Sequence, residues 1–316
     1  MPERSSSSDK GVFIAVVSSN RKIGERFYRL GLEFSGTGSV AFSKFKPGQF
    51  AELDLSGIAL PPTERIPEDL LDASQRKILL RRPFSFANVT TEGGKTFIEL
   101  LYCIVGPATL RMTTLASGAS VSVIGPLGNG FWVLAGKKRA VLVVGGMGAP
   151  PLQHLAKILT ADYPDIEVIA FAGARTVKEL PFEGRLDEIS QQLGFSLAEF
   201  ARYAVKSIVA TDDGTAGFHG LVTDCLSEWL GRTGLASESV IIYTCGPEAM
   251  LARVAEIAKA KKIDCQVSME RRMACGIGVC QSCAVECRVN GSSETVYKLC
   301  CEDGPVFDSR EVVFSS

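Results

Sequence analysis

The chain carries no excess of charge of either sign. Its 34 lysines and arginines stand against 35 aspartates and glutamates, and the formal net charge is −1 over 316 residues. A chain balanced in this way lacks the long-range basic field that attracts nucleic acid or an anionic membrane surface. We therefore expect neither nucleic acid nor membrane among its partners.

Long apolar runs are also missing. The most apolar stretch, residues 140–152, holds three glycines and two prolines and is too short and too broken to span a bilayer. The apolar run Gly11 to Val17 is shorter still and leads into residues 27–34, whose alternating pattern is typical of a half-buried strand. We expect a disordered tail over residues 1–10, then a strand, and no export signal.

Cysteine is abundant but unevenly placed. Six of the ten cysteines fall between Cys275 and Cys301. Disulfide frameworks spread their cysteines along a chain, whereas a metal or cluster site gathers them into one or two loops in a reducing compartment. The clustering predicts a ligand site and a cytoplasmic location.

The periodicity of apolar residues along the sequence divides the chain into three regions. Residues 11–136 read as short strands separated by turn residues, which predicts an antiparallel β-barrel, interrupted by a surface insertion at 57–80. Residues 137–262 alternate fully apolar strands with helices, which predicts a parallel α/β domain. Residues 263–316 hold the cysteine cluster and little core of their own.

The first three clustered cysteines have a spacing used by one type of iron–sulfur site. Cys275, Cys280 and Cys283 stand in the order C-x4-C-x2-C, which plant-type 2Fe–2S proteins complete with a distant fourth cysteine. Gly276 and Gly278 permit the positive dihedrals with which a loop can point N–H groups at a negatively charged cluster. The sequence therefore predicts a 2Fe–2S site.

The fourth ligand and the metal have alternatives at this point. Cys287 is too near in sequence for the plant-type arrangement, so spacing leaves Cys300 or Cys301. A structural zinc site or free buried thiols would also explain clustered cysteines. Zinc sites usually show two close pairs, however, and here only Cys280 and Cys283 form a C-x2-C pair.

Three short segments of the barrel region carry groups suited to a flavin nucleotide. The guanidinium of Arg82 can hold a diphosphate with paired donors, and the Ser85 hydroxyl, three residues on, can face the polar edge of a flavin ring. A solvated surface arginine is the simpler alternative. The second segment lies on a predicted strand and the third begins a short helix whose free N–H groups suit phosphate. The candidate residues are Arg82, Pro83, Phe84 and Ser85, then Leu101, Tyr102 and Cys103, then Ala108 and Thr109.

Two strand-to-helix turns of the α/β region are candidates for binding a nicotinamide nucleotide. Gly145, Gly146 and Gly148 follow a buried strand and place bare backbone at a helix N-terminus, where a pyrophosphate can dock. The full G-x-G-x-x-G pattern is absent, because Pro151 stands in place of its third glycine. The second turn is formed by Cys245, Gly246, Pro247 and Glu248. A tight turn without a ligand is the alternative for each.

These motifs together resemble a known family. The succession of RPFS at 82–85, GGMG at 145–148 and CGPE at 245–248 resembles the ferredoxin reductase superfamily of flavoproteins. The tail, MERRMACGIGVC at 269–280 and YKLCCEDGPVFD at 297–308, is similar to the electron-transfer subunit of NAD-dependent dihydroorotate dehydrogenase. The likeness runs from about residue 11 to the C-terminus.

The resemblance implies cofactors, a partner and a direction of electron flow. It implies FAD on the barrel, NAD on the α/β domain and a 2Fe–2S cluster at the C-terminus, with NADP as an alternative nucleotide. It implies a catalytic partner subunit holding FMN, in a heterotetramer that oxidises dihydroorotate to orotate for pyrimidine biosynthesis and passes the electrons to NAD+. The family motif also selects Cys301 over Cys300. We assign no catalytic residue, and none to His154 or His219, because hydride transfer between flavin and nicotinamide needs no protein acid or base.

The chain departs from the family pattern in two ways. Gly106-Pro107-Ala108-Thr109 stands where relatives have Gly-x-Gly-Thr, and residues 57–80 and 176–205 lengthen the chain. The insertions leave open a second partner class, a hydrogenase, an oxygenase or a ferredoxin-type protein served by an NAD(P)H-dependent reductase. A redox sensor or zinc-stabilised interaction module is the alternative from outside the enzymes.

Overall fold

The structure, a computed structural model, describes residues 10–183, 197–289 and 294–314. The tail predicted over residues 1–10 lies outside this range except for Lys10. Within the described ranges, no helix has the length and apolar character needed to cross a membrane.

Six antiparallel strands close into the predicted barrel, in the spatial order β1-β2-β5-β4-β3-β6. In β2, Leu30, Leu32 and Phe34 are fully buried inside the barrel, while Gly31 and Glu33 between them are only half buried, as expected for alternating strand residues. Helix α1 packs Phe42 onto the ring of Phe34 at a centroid distance of 4.1 Å and so plugs the interior. The barrel elements are β1 (Gly11–Lys22), β2 (Phe27–Phe34), α1 (Gly36–Ser43), β3 (Phe50–Leu53), α2 (Leu71–Ser74), β4 (Arg82–Glu92), β5 (Lys95–Cys103), α3 (Pro107–Met112) and β6 (Ser120–Leu127).

A seven-stranded sheet forms the predicted α/β domain, in the order β10-β9-β8-β7-β11-β12-β15. All its pairs are parallel except β12 with β15. Every residue of β11 is buried, as expected for a strand covered on both faces. Its elements are β7 (Arg139–Gly145), α4 (Ala149–Asp162), β8 (Glu167–Ala174), α5 (Ala198–Ala201), β9 (Lys206–Thr211), β10 (Phe218–His219), α6 (Val222–Arg232), β11 (Val240–Cys245), α7 (Glu248–Lys261), β12 (Asp264–Ser268) and β15 (Val306–Asp308).

The cysteine region shares its core with the α/β domain. β12 and β15 both lie past residue 262, yet they extend the seven-stranded sheet. Between them, β13 (Ala284–Arg288) and β14 (Thr295–Leu299) form a hairpin. Cys283, Cys300 and Cys301 are buried in the same apolar cluster as the helices α6 and α7. The cysteine loop therefore follows a strand of the seven-stranded sheet and packs against its core.

The insertion at 57–80 packs against the barrel. It forms two single turns of 3-10 helix, Thr63–Arg65 and Glu68–Leu70, followed by α2. Ile66 and Leu70 pack on Ile104 and Leu110 at the start of α3. The insertion therefore covers the outer side of the third candidate flavin segment.

The described part of the second insertion ties the two large domains together. Arg29 of β2 donates from Nη2 to Glu199 Oε1 at 2.9 Å and from Nε to Glu183 Oε1 at 3.0 Å. Its Nη1 also donates to Glu99 Oε1 of the barrel at 2.6 Å. Arg29 and Glu199 are both buried, so this ion pair is screened little by solvent. It anchors the α/β domain on the barrel.

We expect Arg29→Met to destabilise the FAD-loaded protein by about 3–5 kcal/mol, because it leaves the carboxylate of Glu199 buried without a counter-charge. The urea midpoint of unfolding, followed by flavin fluorescence, measures the change. The matched control is Arg232→Met, which breaks an exposed pair with Glu228 and should cost less than about 1 kcal/mol. Equal midpoints for the two variants would contradict the structural role given to Arg29.

Candidate functional site

A cavity of about 520 Å³ opens between the barrel, the α/β domain and the cysteine region. Its volume lies in the range that suits a cofactor or drug-sized ligand. All nine barrel residues with predicted flavin contacts line it: Arg82, Pro83, Phe84, Ser85, Leu101, Tyr102, Cys103, Ala108 and Thr109. The fold thus brings together three segments that are separate in sequence, as a flavin site requires.

The backbone around the third segment is stabilised by Thr109. Its Oγ1 accepts hydrogen bonds from the N–H groups of Val105 at 3.0 Å and Gly106 at 3.3 Å. Gly106 has an extended φ of −179°, and the helix α3 starts directly at Pro107. The Gly-x-Ala-Thr variant therefore makes a capped turn in which the threonine hydroxyl satisfies the backbone.

Arg82 lies at the wall of the cavity and is held by local carbonyls. Its Nη1 donates to Leu80 O at 2.8 Å and to Arg81 O at 3.0 Å. These bonds orient the guanidinium and leave its remaining N–H groups for an anionic ligand. Arg81 is used elsewhere, because it donates to the backbone and hydroxyl of Ser122.

The two candidate nucleotide turns pack directly on each other. A Cβ placed on Gly148 would lie 2.0 Å from the carbonyl oxygen of Cys245, and one placed on Gly145 would lie 2.7 Å from Pro247 Cδ. Gly146 faces open space with a φ of +47°. Gly145 and Gly148 are therefore needed for close packing of the turns, and Gly146 is the one with backbone free to meet a ligand. Of these two turns, Met147 and Cys245 reach the cavity wall.

Sequence reasoning missed the segment that joins the nucleotide domain to the cysteine loop. Ser268, Met269, Glu270, Arg271 and Met273 all line the cavity. Arg271 donates to both carboxylate oxygens of Glu248, at 2.9 and 3.1 Å, and so fixes this segment to the start of α7. The only signal in the sequence was position, since these residues lie directly between β12 and Cys275.

Two titratable groups near the site have shifted pKa values. Desolvation at the cavity wall raises the pKa of Glu270, although its side chain is exposed at the surface. Burial, together with the charge of Lys157, lowers the pKa of His154 to about 3, so this imidazole is a neutral part of the interface between α4 and the barrel. His219 belongs to the short edge strand β10.

The four predicted cluster ligands form two pairs. In the first pair, the backbone N–H of Cys280 donates a hydrogen bond to Cys275 Sγ at 3.3 Å. In the second pair, the Cys283 thiol lies near enough to Cys301 to raise the pKa of the Cys301 thiol. The loop between the pairs also points an N–H group inward, from Gly278 to Cys301 Sγ at 3.2 Å.

Cys300 faces away from this arrangement. Its thiol donates to the carbonyl of Met269 at 3.3 Å, and its side chain is fully buried. Cys301, the next residue, accepts a hydrogen bond at its sulfur from the N–H of Gly278. The two thiols thus have different partners, and Cys301 stays the predicted fourth ligand that the family resemblance implies.

One thiol of each pair has a shifted pKa. Hydrogen bonds from Ser282, and then from Cys275, lower the pKa of the exposed Cys280 to about 6. Burial and the neighbouring Cys283 thiol raise the pKa of Cys301 to about 12. Iron would supply the positive charge that a buried thiolate at position 301 needs.

Two pairs fit a two-iron cluster better than a single ion. Each iron of a 2Fe–2S cluster takes two protein ligands, whereas structural zinc gathers four around one ion. The donor set is four cysteine thiols, which is the set that a 2Fe–2S cluster takes, and Cys275, Cys280, Cys283 and Cys301 stay its predicted ligands.

Comparisons with known families agree with both halves of the site. Residues 270–313 match the family described as the iron–sulfur cluster binding domain of dihydroorotate dehydrogenase B. Residues 142–256 match the oxidoreductase NAD-binding domain.

Curated relatives cover almost the whole chain. The electron transfer subunit of dihydroorotate dehydrogenase B (NAD(+)) from Caldanaerobacter subterraneus subsp. tengcongensis is 34% identical over 300 residues, covering 95% of this chain and 98% of the relative. The subunit of the same name from Bacillus caldolyticus is 36% identical over 299 residues, covering 94% and 96%.

Solved structures share the architecture. The NADH-dependent reduced ferredoxin–NADP oxidoreductase matches with a TM-score of 0.69 at 25% identity, covering 95% of this chain and 90% of that one. A ferredoxin NADP+ reductase from Neisseria gonorrhoeae with bound FAD and NADP matches with a TM-score of 0.54 at 15% identity, covering 79% and 91%, which shows the fold alone.

Proposed function

The chain belongs to the family of electron-transfer subunits of NAD-dependent dihydroorotate dehydrogenase B, and from this premise we propose that it carries electrons from the FMN of a catalytic partner subunit to NAD+ in pyrimidine biosynthesis. FAD and a 2Fe–2S cluster supply the redox chemistry when bound, because a flavin can exchange two electrons with a nicotinamide and one with an iron–sulfur centre. The single observation that carries the proposal is that the three flavin segments and the segment just before the cysteine loop, which includes Met269, Arg271 and Met273, line one cavity.

The residues around the cavity would bind and orient FAD. We assign the polar contacts to Arg82, Ser85 and Thr109 and the apolar walls to the remaining barrel residues that line the cavity. Met269 and Met273, just before the cysteine loop, close the opposite side and help to exclude water.

The two packed turns would hold the nicotinamide nucleotide. Gly146 offers backbone at the N-terminus of α4, at the carboxyl edge of the parallel sheet. Cys245 lies at the end of β11 and at the cavity wall, which brings the nucleotide turn next to the flavin segments. This arrangement suits direct hydride transfer.

Purification with the partner subunit tests the function. We expect FAD, iron and acid-labile sulfide in the subunit and reduction of NAD+ when dihydroorotate is added to the complex. Colourless, iron-free protein from a strictly anoxic preparation would rule out the proposal. A coloured, iron-containing protein that reduces ferredoxin but not NAD+ with dihydroorotate would instead support the second candidate, a reductase for another partner, which the likeness to the ferredoxin–NADP oxidoreductase favours.

Finer features of the assembly belong to the same proposal. We infer a heterotetramer with two copies of each subunit, which native mass spectrometry tests. We also infer that the assembly makes no contact with a membrane. We also infer a cytoplasmic location, because all ten cysteines are free, as expected in a reducing compartment.

Apolar side chains around the cysteine loop would form the docking surface for the partner. Ile277 is 53% exposed and Val279 is 75% exposed, and Cys280 beside them is exposed as well. Leu79 and Leu80, at the end of the first insertion, add two more exposed apolar side chains just before β4. An apolar surface next to an exposed ligand suits a partner that must approach the cluster closely.

We expect Val279→Asp to weaken binding of the catalytic subunit by about tenfold or more, because the interface would then bury an unpaired carboxylate. Calorimetry with the purified partner measures the affinity, and the iron content should stay at the wild-type level. Val40→Asp, at a similarly exposed position on α1, is the control and should bind normally. Unchanged binding by Val279→Asp would place the interface elsewhere.

A further inference from the structure

Glu52 is a buried acid that the proposed chemistry does not use. It lies in β3 with 1% of its side chain exposed, and its Oε1 has no hydrogen-bond partner among the described residues. Burying a carboxylate without a full set of partners costs free energy. A buried acid at such a position therefore calls for a functional explanation.

The position of Glu52 is between the flavin cavity and the cysteine loop. Its backbone is paired with Pro83, which lines the cavity, and Phe50 two residues earlier lines the cavity as well. Ala51 and Leu53 point into the barrel core, whereas Phe50 packs in the apolar cluster that contains Cys283 and Cys301. The outer face of β3 is thus covered by the cysteine region.

The carboxyl group of Glu52 touches the cysteine loop at Gly276. A Cβ placed on Gly276 would lie 2.4 Å from Glu52 Oε1 and 2.6 Å from its Cδ. Gly276 has a φ of +66°, so both its backbone conformation and this contact require glycine. Gly276 directly follows Cys275, and the carboxyl group is therefore adjacent to the loop that holds three of the proposed iron ligands.

The cations nearest to Glu52 are bonded to other acceptors. Arg81 donates to Ser122 and lies 3.6 Å from Asp54, and Arg82 donates to the carbonyls of Leu80 and Arg81. Their charges oppose the effect of burial, which raises the pKa of Glu52. No cation forms an ion pair with Glu52 in the part of the chain that the structure describes, so its charge acts on its surroundings.

We propose that Glu52 is a positioning residue which holds Gly276 against the flavin-binding strands and whose negative charge lowers the reduction potential of the 2Fe–2S cluster. The inference rests on the proposed function, since it concerns the same cluster. Reduction adds one electron to a cluster that is already negatively charged, and a carboxylate nearby in a low dielectric opposes that gain. A lower potential makes the reduced cluster a stronger reductant toward FAD.

An EPR-monitored redox titration of the intact chain with its cofactors tests the proposal. Glu52→Gln keeps the shape and removes the charge. We expect its cluster potential to become more positive, by about the amount that changes the ratio of reduced to oxidised cluster tenfold, which is ~59 mV for one electron. Iron, sulfide and flavin contents should match the wild type. A fully loaded Glu52→Gln protein with the wild-type potential overturns the proposal.

Two further variants separate charge from packing. Glu52→Asp keeps the charge with a shorter side chain, so its cluster potential should lie much nearer to the wild-type value. This variant also tests the role of Glu52 if Glu52→Gln fails to take up iron. If the potential of Glu52→Asp shifted as far as that of Glu52→Gln, packing alone would explain both shifts, and the electrostatic role of Glu52 would be overturned. Glu33→Gln, which removes a carboxylate paired with Lys95 on the barrel side opposite β3, should leave the potential unchanged.

The wild-type protein in the same titration distinguishes two kinds of failure. Absence of any 2Fe–2S signal in the wild type would defeat the proposed function itself. A normal wild-type signal with no response to Glu52→Gln would defeat only the role of Glu52.

Discussion

Cys301→Ser should lose the 2Fe–2S cluster, whereas Cys300→Ser should keep it. The two cysteines are adjacent and both buried, but they have different partners: the sulfur of Cys301 accepts a hydrogen bond from the N–H of Gly278 in the proposed cluster loop. Cys300 donates to Met269 O, a bond that a serine hydroxyl can also make. Loss of a ligand should lower iron affinity by more than the roughly 10–100-fold that removing an outer partner costs.

Iron content, visible absorbance and low-temperature EPR measure the outcome. Both variants should retain FAD, because neither cysteine lines the flavin cavity. NADH oxidation by an artificial acceptor should remain near the wild-type rate in both, while transfer to the partner should fail in Cys301→Ser alone. The assignment is wrong if the cluster disappears from Cys300→Ser and persists in Cys301→Ser.

The sequence predicted the fold class, and its nine candidate flavin residues all line one cavity, but it did not predict the contacts that arrange them. The barrel and the α/β domain each have a periodicity that a sequence displays, since β2 alternates and β11 is apolar throughout. The spacing of Cys275, Cys280 and Cys283 is likewise local, because one loop must deliver three ligands. Such features are visible without knowledge of the partners in space.

Contacts between distant segments were not predictable in this way. The packing of Gly148 on Cys245, the contact of Glu52 with Gly276 and the pairing of Arg29 with Glu199 each join residues far apart in the chain. Their residue types are ordinary: glycines in turns, and acids and an arginine in strands or in the short helix α5. Only the fold shows that these residues meet. The contacts also explain why glycine is needed at these positions and why the charges are buried.

Gly148→Ala should reduce NADH oxidation by an artificial acceptor by about 100-fold in kcat/KM with the flavin spectrum unchanged, because misplacement by about 1 Å can cost that much. The backbone at Gly148 has a φ of −69°, which alanine adopts easily, so strain in its own dihedral is not the cause. The new methyl group would instead meet Cys245 O at 2.0 Å and Gly246 N at 2.7 Å, and backbone atoms cannot turn aside as a side chain would. The two nucleotide turns must then separate, which moves Cys245 at the cavity wall.

Gly231→Ala on α6, where an added Cβ meets nothing within 4 Å, is the matched control and should behave as the wild type. A Gly148→Ala enzyme with normal kcat/KM would show that the two turns need no fixed spacing for hydride transfer.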